Sequence, residues 1–191
     1  MTAAAGGPAP ERPAPGQQAA GQPAAGQPAA GQPAAGQLAA ELEAANDEAV
    51  AFVETCSDGE WATMVEGENW PVGVVMHHIA MGHLQMMDWL DRARRGDAIV
   101  TTASDIDDDN ARHAIAFAGV GRAETAEQLR SHGAALAELI GGLSTGELAL
   151  SVSFGPAHGR AVTAAQLAPV AVRHCTAHLA DARAALQPGT T

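Results

Sequence analysis

The sequence predicts an all-α fold, a four-helix bundle with a short accessory helix and a small β-hairpin before the last helix. Four long segments repeat apolar side chains at the three- and four-residue spacing that gives a helix one buried face. Turn signals rich in Gly, Pro, Ser and Asp separate these segments. A brief alternation of apolar and small residues precedes the last helix and is typical of a strand pair. Helices that each bury one stripe pack together as a bundle.

Length and charge restrict the classes of protein to consider. The chain has 191 residues, which suits one domain and a tail, and its 22 acidic and 10 basic residues give a formal charge of -12. Because such a surface repels phosphates and anionic lipid, we expect no nucleic acid and no membrane partner, but a small-molecule substrate. The two cysteines form no CxxC motif. There is no apolar run of roughly 20 residues and no signal-peptide pattern, so the expected location is cytoplasmic.

The first segment of the chain is of low complexity. Ala-Ala-Gly-Gln-Pro occurs three times in succession between residues 19 and 33. Pro and Gly in every repeat oppose helix and strand, and no large apolar side chain offsets the entropy of ordering. We predict a disordered tail over 1–37, one helical domain over 38–187 and a flexible end over 188–191.

The first two long helices follow this tail. The first is predicted to begin near Gln37 and to end at residues 57–59, followed by a connection with one short turn near Trp61. The second starts at Pro71, with Asn69 as its candidate cap, and runs to about Arg94. It carries three histidines, of which His83 falls inside the apolar stripe while His77 and His78 flank it on opposite sides. Periodicity alone therefore does not select one of them as a metal ligand.

The next part of the chain contains the accessory helix and the third long helix. An acidic run at 105–109 lacks the glycine and the closing glutamate of a calcium loop, and better suits a helix N-terminus. This short helix is predicted to end near Ala118. The third long helix follows over residues 123–143.

The end of the chain combines a strand pair with the last helix. Apolar side chains alternate from Leu148 to Phe154, which predicts a strand, and residues 160–162 return as its partner. Thr163 is the candidate cap of the last helix, which runs to about Leu186.

The last helix carries His174 and His178, four residues apart on one face with apolar neighbours. Two imidazoles at this spacing point into the bundle and can both reach one divalent metal. The alternative is a pair of core or boundary histidines without an ion. A metal site needs a third ligand, which periodicity leaves open.

The chain resembles the DinB/YfiT-like helical bundles in two stretches. The first is Asn69-Trp70-Pro71-Val72-Gly73-Val74-Val75-Met76-His77-His78-Ile79, and the second is His174-Cys175-Thr176-Ala177-His178. The family pattern has a Trp that opens the second helix, a His eight residues on and an aliphatic after it. The resemblance covers residues 38–186 and implies that His78, His174 and His178 bind a metal, with His77 as the alternative if the register differs by one residue.

The resemblance also implies a chemistry. It suggests zinc, nickel or a similar divalent ion with open positions, and it includes the mycothiol-dependent maleylpyruvate isomerases and related low-molecular-weight-thiol S-transferases. The physical basis is that a divalent ion lowers the pKa of a bound thiol or water. No residue can be assigned to thiol recognition, so catalytic and cofactor-binding residues stay unassigned.

Several other residues are candidate members of the site. His83 is expected to be a packed histidine, and His113, His132 and His158 are expected at the surface. Asp181 is either an acceptor for a ligand imidazole or a solvated carboxylate. Cys175 is adjacent to His174 in sequence, but a rotation of about 100° per residue turns it away from the site.

Three functions follow from these expectations. The first is a metal-dependent enzyme, a thiol S-transferase or isomerase acting on a small electrophile. The second is a module that binds a metal or small ligand without catalysis. The third is a bundle that uses its surfaces for homodimerisation or partner binding. Three histidines without an obvious fourth protein ligand favour the first, because catalytic metal sites keep a position open.

Overall fold

The structure is a computed structural model that describes residues 34–187, so most of the predicted tail and the predicted end, at 1–33 and 188–191, lie outside the described residues. The described part contains seven α-helices and two antiparallel two-stranded sheets, which confirms the predicted mainly helical fold with a hairpin before the last helix. The helices are α1 (Ala35–Thr55), α2 (Asp58–Trp61), α3 (Val72–Arg95), α4 (Ala103–Ala116), α5 (Arg122–Gly141), α6 (Thr145–Ala149) and α7 (Ala164–Ala185). The strands are β1 (Met64–Val65), β2 (Trp70–Pro71), β3 (Ser151–Phe154) and β4 (Arg160–Thr163).

The four long helices α1, α3, α5 and α7 form the bundle. Helices α1 and α3 each pack against both α5 and α7, so α1 faces α3 across the core. Two clusters of buried apolar side chains fill this core. One includes Leu42 and Leu90, and the other includes Val53 and Ile79. Burying these stripes against one another is the main source of stability for such a bundle.

A polar layer separates the two apolar clusters. Asn46 of α1, His83 of α3 and His174 of α7 each lie between residues of one cluster and residues of the other along their helices. His83 Nε2 lies 3.0 Å from Asn46 Oδ1, so the two buried polar groups satisfy each other. Glycines make room for this layer, because a Cβ at Gly133 would lie 2.4 Å from Asn46 Cγ, and one at Gly82 would lie 2.4 Å from His174 Cε1.

A hairpin leads into α3 and corrects one prediction. Strands β1 and β2 pair Val65 with Trp70, and Asn69 has a φ of 57° in the turn between them. Pro71 is the N-cap of α3, and no side chain caps this helix end. The prediction of Asn69 as the cap is therefore wrong, because the strand pairing carries the chain past that residue in a turn. The predicted helical turn near Trp61 is confirmed as α2.

The segment before α7 also differs in part from the prediction. Leu148 lies in the short helix α6 rather than in a strand, because Ser144 and Glu147 form a capping box that starts a helix there. The strand begins at Ser151 and pairs with β4. The predicted cap of α7 is confirmed, since the Thr163 hydroxyl accepts a hydrogen bond of 3.3 Å from the backbone N–H of Gln166.

Helix α4 is not one of the four bundle helices, although its His113 contacts His77 and His78 of α3. Thr102 caps it with Asp105, so the acidic run is a helix start as predicted, but none of its residues is buried. It packs on the turn at 155–157 that joins the strands of the second hairpin. At the other end of the described chain, α1 begins at Ala35, slightly earlier than the predicted start at Gln37. Between residues 34 and 187, no helix combines the length and the apolar character that crossing a bilayer requires.

Candidate metal centre

The structure brings together the three histidines that the sequence and the resemblance singled out. His78 lies on α3, and His174 and His178 lie one turn apart on α7. One ring nitrogen of each lies within 4.8 Å of those of the other two. His78 Nε2 and His174 Nε2 are 3.1 Å apart, and the centroid of the His178 ring is 5.0 Å from that of His78 and 4.6 Å from that of His174.

These distances fit a single divalent ion. Zinc binds imidazole nitrogen at about 2.0–2.1 Å, and two nitrogens at neighbouring corners of a tetrahedron of that size are about 3.4 Å apart. The observed 3.1 Å between the two Nε2 atoms is close to this value. Three nitrogen donors on two packed helices are a donor set suited to divalent transition metals such as zinc, copper, iron and nickel.

Burial keeps the imidazoles of His78 and His174 neutral, which metal binding requires. Burial, and then the neighbouring imidazoles of His174, His178, His113 and His77, lower the pKa of His78 from its ordinary value of 6.5 to about 2. Burial, followed by His178 and His83, lowers the pKa of His174 to about 3. Both rings therefore offer a free nitrogen lone pair at neutral pH.

Glu68 is a member of the site that sequence reasoning missed. It lies in the turn between β1 and β2, and its Oε1 is 3.0 Å from His178 Nδ1, without the alignment of a hydrogen bond. A carboxylate beside Nδ1 leaves Nε2 of the same ring available for a metal. Asp181 lies close to Glu68 and His178, with potential ligand atoms of the three within 4.8 Å of one another, but its side chain is exposed. The turn was expected to be a plain connection, and nothing in its sequence indicates that it folds back over α7.

The adjacent His77 is not brought to the pair. Its ring is fully buried, its Nδ1 lies 3.3 Å from His113 Nε2, and its centroid is 4.1 Å from that of Phe117. Trp70 instead packs edge-on against His78, with a centroid distance of 5.3 Å. The register implied by the resemblance therefore places His78 beside His174 and His178.

The other candidates fall into two groups. His83 lies in the interior as expected, His158 is exposed as expected, and Cys175 is buried away from the site, where burial raises its pKa to about 12. The expectation of a surface position is wrong for His113, which stacks on His77, and for His132, whose Nδ1 is 3.0 Å from the Ala80 carbonyl oxygen. Both are half-buried, because α4 and α5 turn them toward α3.

The three histidines lie at one end of a cavity of about 670 Å³. Residues of α3, α4 and α7 line it, together with Glu68 and Trp70 of the hairpin. This volume is that of a typical small-molecule site.

A helical bundle with a three-histidine cluster between its second and last long helices defines a class of bundle proteins whose histidines could hold a metal ion. The sequence model of the DinB superfamily matches residues 9–182. The chain belongs to the DinB superfamily, which is often metal-binding. No curated protein and no solved structure matches the chain.

Proposed function

We propose that the protein is a metal-dependent enzyme that transfers or isomerises a small electrophile with the help of a low-molecular-weight thiol such as mycothiol. His78, His174 and His178 hold one divalent ion, zinc or nickel. The observation that supports this best is the convergence of three imidazole nitrogens within 4.8 Å at the end of a cavity large enough for a substrate.

Each residue of the site has a role in this proposal. The neutral rings of His78 and His174 supply lone pairs, and Glu68 places its carboxylate beside Nδ1 of His178. Three protein ligands leave positions open toward the cavity, as in catalytic sites. When bound, a divalent ion would lower the pKa of a thiol or water molecule in such a position.

The cavity residues support the bond-forming step. After its proton leaves to solvent, the thiol sulfur forms a bond to the electrophilic carbon, and the leaving group departs with its bonding electron pair. Trp70 and His113 flank His78 and limit access of water to its ring. In an isomerisation, the same sulfur adds to one carbon of a substrate double bond, and the π electron pair moves onto a conjugated carbonyl group of the substrate. After rotation about the resulting single bond, the electron pair returns, the double bond re-forms and the sulfur is released.

Metal analysis of protein purified without a histidine tag tests the first half of the proposal. His174→Ala and His178→Ala should abolish stoichiometric binding of zinc or nickel, and His78→Ala should weaken it strongly. His83→Ala should retain the metal, and the exposed His158→Ala serves as a matched control. Retention of metal by His78→Ala together with its loss from His77→Ala would shift the site by one residue.

Thiol-dependent turnover tests the second half. The metal-loaded protein should accelerate the reaction of mycothiol with a simple electrophile such as 1-chloro-2,4-dinitrobenzene, and the metal-free protein should not. Metal binding without any turnover would favour the non-catalytic binding module. If the wild-type protein takes up neither zinc nor nickel, the result would favour a bundle that uses its surfaces for homodimerisation or partner binding.

A further inference from the structure

The cavity at the histidine cluster is an elongated groove that follows the axis of α3. His78, Gly82, Met86 and Trp89 line it at spacings of three and four residues, so they share one face of the helix. The helix advances about 1.5 Å per residue, and the groove therefore extends for about 16 Å from His78 to Trp89. This length exceeds what a ligand confined to the metal centre would need.

The two ends of the groove differ in polarity. At one end lie the three histidines and His113 of α4, whose ring centroid is 5.5 Å from that of His78. At the other end, Trp89 of α3, Val170 of α7 and Ile106 of α4 line the groove. Trp89 belongs to one of the two apolar core clusters, and the other two side chains pack against that cluster. Apolar ligand surface buried at that end contributes about 25 cal/mol per Å².

No arginine lines the groove in the part of the chain that the structure describes. All ten basic residues of the sequence are arginines, and Arg12 lies outside the described residues. The carboxylates at the groove edge, Asp88 and Asp109, are paired with the exposed arginines Arg92 and Arg112 of their own helices. An anionic group away from the histidine end would thus lose water and gain no cationic partner, which is costly.

We propose that this groove binds an elongated, uncharged small molecule. The reactive end of the molecule lies at His78, His174 and His178, and its apolar body lies between Trp89, Val170 and Ile106. A dicarboxylate such as maleylpyruvate belongs to the class that the groove disfavours. The nature of the reactive end rests on the proposed function, whereas the selection for an uncharged apolar body does not require an ion.

Two fluorescent probes with the same ring skeleton test this selection in metal-free protein. N-phenyl-1-naphthylamine is uncharged, and 8-anilino-1-naphthalenesulfonate differs from it by one sulfonate. We expect the uncharged probe to bind at least about tenfold more tightly, a difference of about 1.4 kcal/mol. Equal or tighter binding of the sulfonate would overturn the proposal.

A matched pair of variants on α4 locates the probe. Ile106→Asp should weaken binding of the uncharged probe at least about tenfold, because it places a carboxylate in the apolar end. Ile115→Asp changes the same residue type on the same helix at an 81 % exposed position outside the groove lining, and should leave binding within about twofold. Val170→Asp with Val172→Asp repeats the comparison on α7, where only Val170 lines the groove. Equal effects within both pairs would contradict the assignment.

The outcome separates this inference from the proposed function. Selective binding of the uncharged probe by a protein that takes up no metal would support the proposed ligand selectivity of the groove. It would also contradict the proposal that the protein is a metal-dependent enzyme. Stoichiometric metal binding with no preference between the probes would overturn the groove selectivity and leave the metal centre standing.

Discussion

Gly82 and His174 meet where α3 and α7 pack against each other, and the imidazole occupies the space that a side chain on Gly82 would need. A Cβ at this position would lie 2.4 Å from Cε1 and 3.0 Å from Nδ1 of His174. Such distances are well inside van der Waals contact, and a helix backbone cannot retreat far enough to relieve them. The position of the His174 ring thus depends on the absence of a side chain at Gly82.

Gly82→Ala should displace His174 and lower metal affinity by at least about tenfold, because metal sites tolerate only small errors in ligand position. Metal dissociation constants measured by competition with a chelator would show the loss. Gly36→Ala is a suitable control, since Gly36 is also helical and has open space around it. Wild-type affinity in Gly82→Ala would mean that the ring adjusts freely and that the glycine has no role in the centre.

Buried His83 makes the stability of the metal-free protein depend on pH. Burial, with a smaller effect of His132, lowers the pKa of His83 from 6.5 to about 4. Between these two values the unfolded chain takes up a proton that the folded protein does not. The contribution of neutral His83 to the free energy of unfolding is therefore complete above pH 6.5 and is lost as the pH falls toward 4. This contribution is on the order of 3 kcal/mol at most.

His83→Gln, which can still hydrogen-bond to Asn46, should have a shallower decline in stability over this range than wild type. Urea unfolding at a series of pH values would measure it. His77, His78 and His174 have pKa values shifted in the same direction, so part of the decline should remain. His158→Gln, at an exposed position, should behave as wild type. Identical pH profiles for His83→Gln and wild type would show that His83 is already protonated in the fold or does not titrate between these states.

The sequence could predict one part of the site at this scale and not another. The spacing of His174 and His178 was sufficient to place both on one face of α7. The choice between His77 and His78 was not accessible to periodicity, because the start of α3 is buried almost all round, from Val72 to His77. Where a helix has no exposed face, its apolar residues do not form a stripe. The sequence pattern therefore cannot distinguish His78 from His77, which lies about 100° away around the helix.

At the scale of secondary-structure elements, the β1–β2 hairpin contributes most to the site beyond the two helices. Each strand has only two residues, yet their pairing places Glu68 beside His178 and Trp70 beside His78. Two-residue strands are too short to give an alternating pattern, and their turn depends on a positive φ at Asn69. This is why the sequence predicted an ordinary connection here.

Glu68→Gln should lower metal affinity by roughly tenfold, because it removes the negative charge that lies 3.0 Å from His178 Nδ1. Glu66→Gln, an exposed residue of the same turn, should leave the affinity unchanged. Both affinities can be measured by chelator competition, with melting temperatures to confirm that each variant folds. A larger loss in Glu66→Gln than in Glu68→Gln would indicate that the turn acts through overall charge rather than through this contact.

At the scale of the whole molecule, the four long helices and their order were predictable because each has a long apolar stripe and the segments between them contain clear breakers. What the sequence could not give was the packing of α1 against α5 and of α3 against α7, since stripes of similar composition do not specify their partners. The position of α4 outside the four bundle helices could not be predicted from the sequence for the same reason.

Residues 34–187 should fold without the preceding segment, as the sequence predicts for a domain that follows an Ala/Gly/Gln/Pro repeat. Deletion of residues 1–33 keeps the N-cap Ala34 and all of α1. The melting temperature should stay within error of the full chain, because the repeat offers no large apolar side chain to bury. A drop of several degrees would show that the repeat packs on the domain.

The glycines of the polar layer also have a consequence for the evolution of the superfamily. Position 82 is tied to the imidazole at 174, and position 133 is tied to the amide at 46, since each glycine leaves space that only its partner occupies. Substitutions at either member should therefore be accompanied by substitutions at the other across related sequences. Relatives that carry a larger residue at the position of Gly82 should also have replaced His174, and this pair of positions would separate lineages that keep the histidine centre from lineages that have lost it.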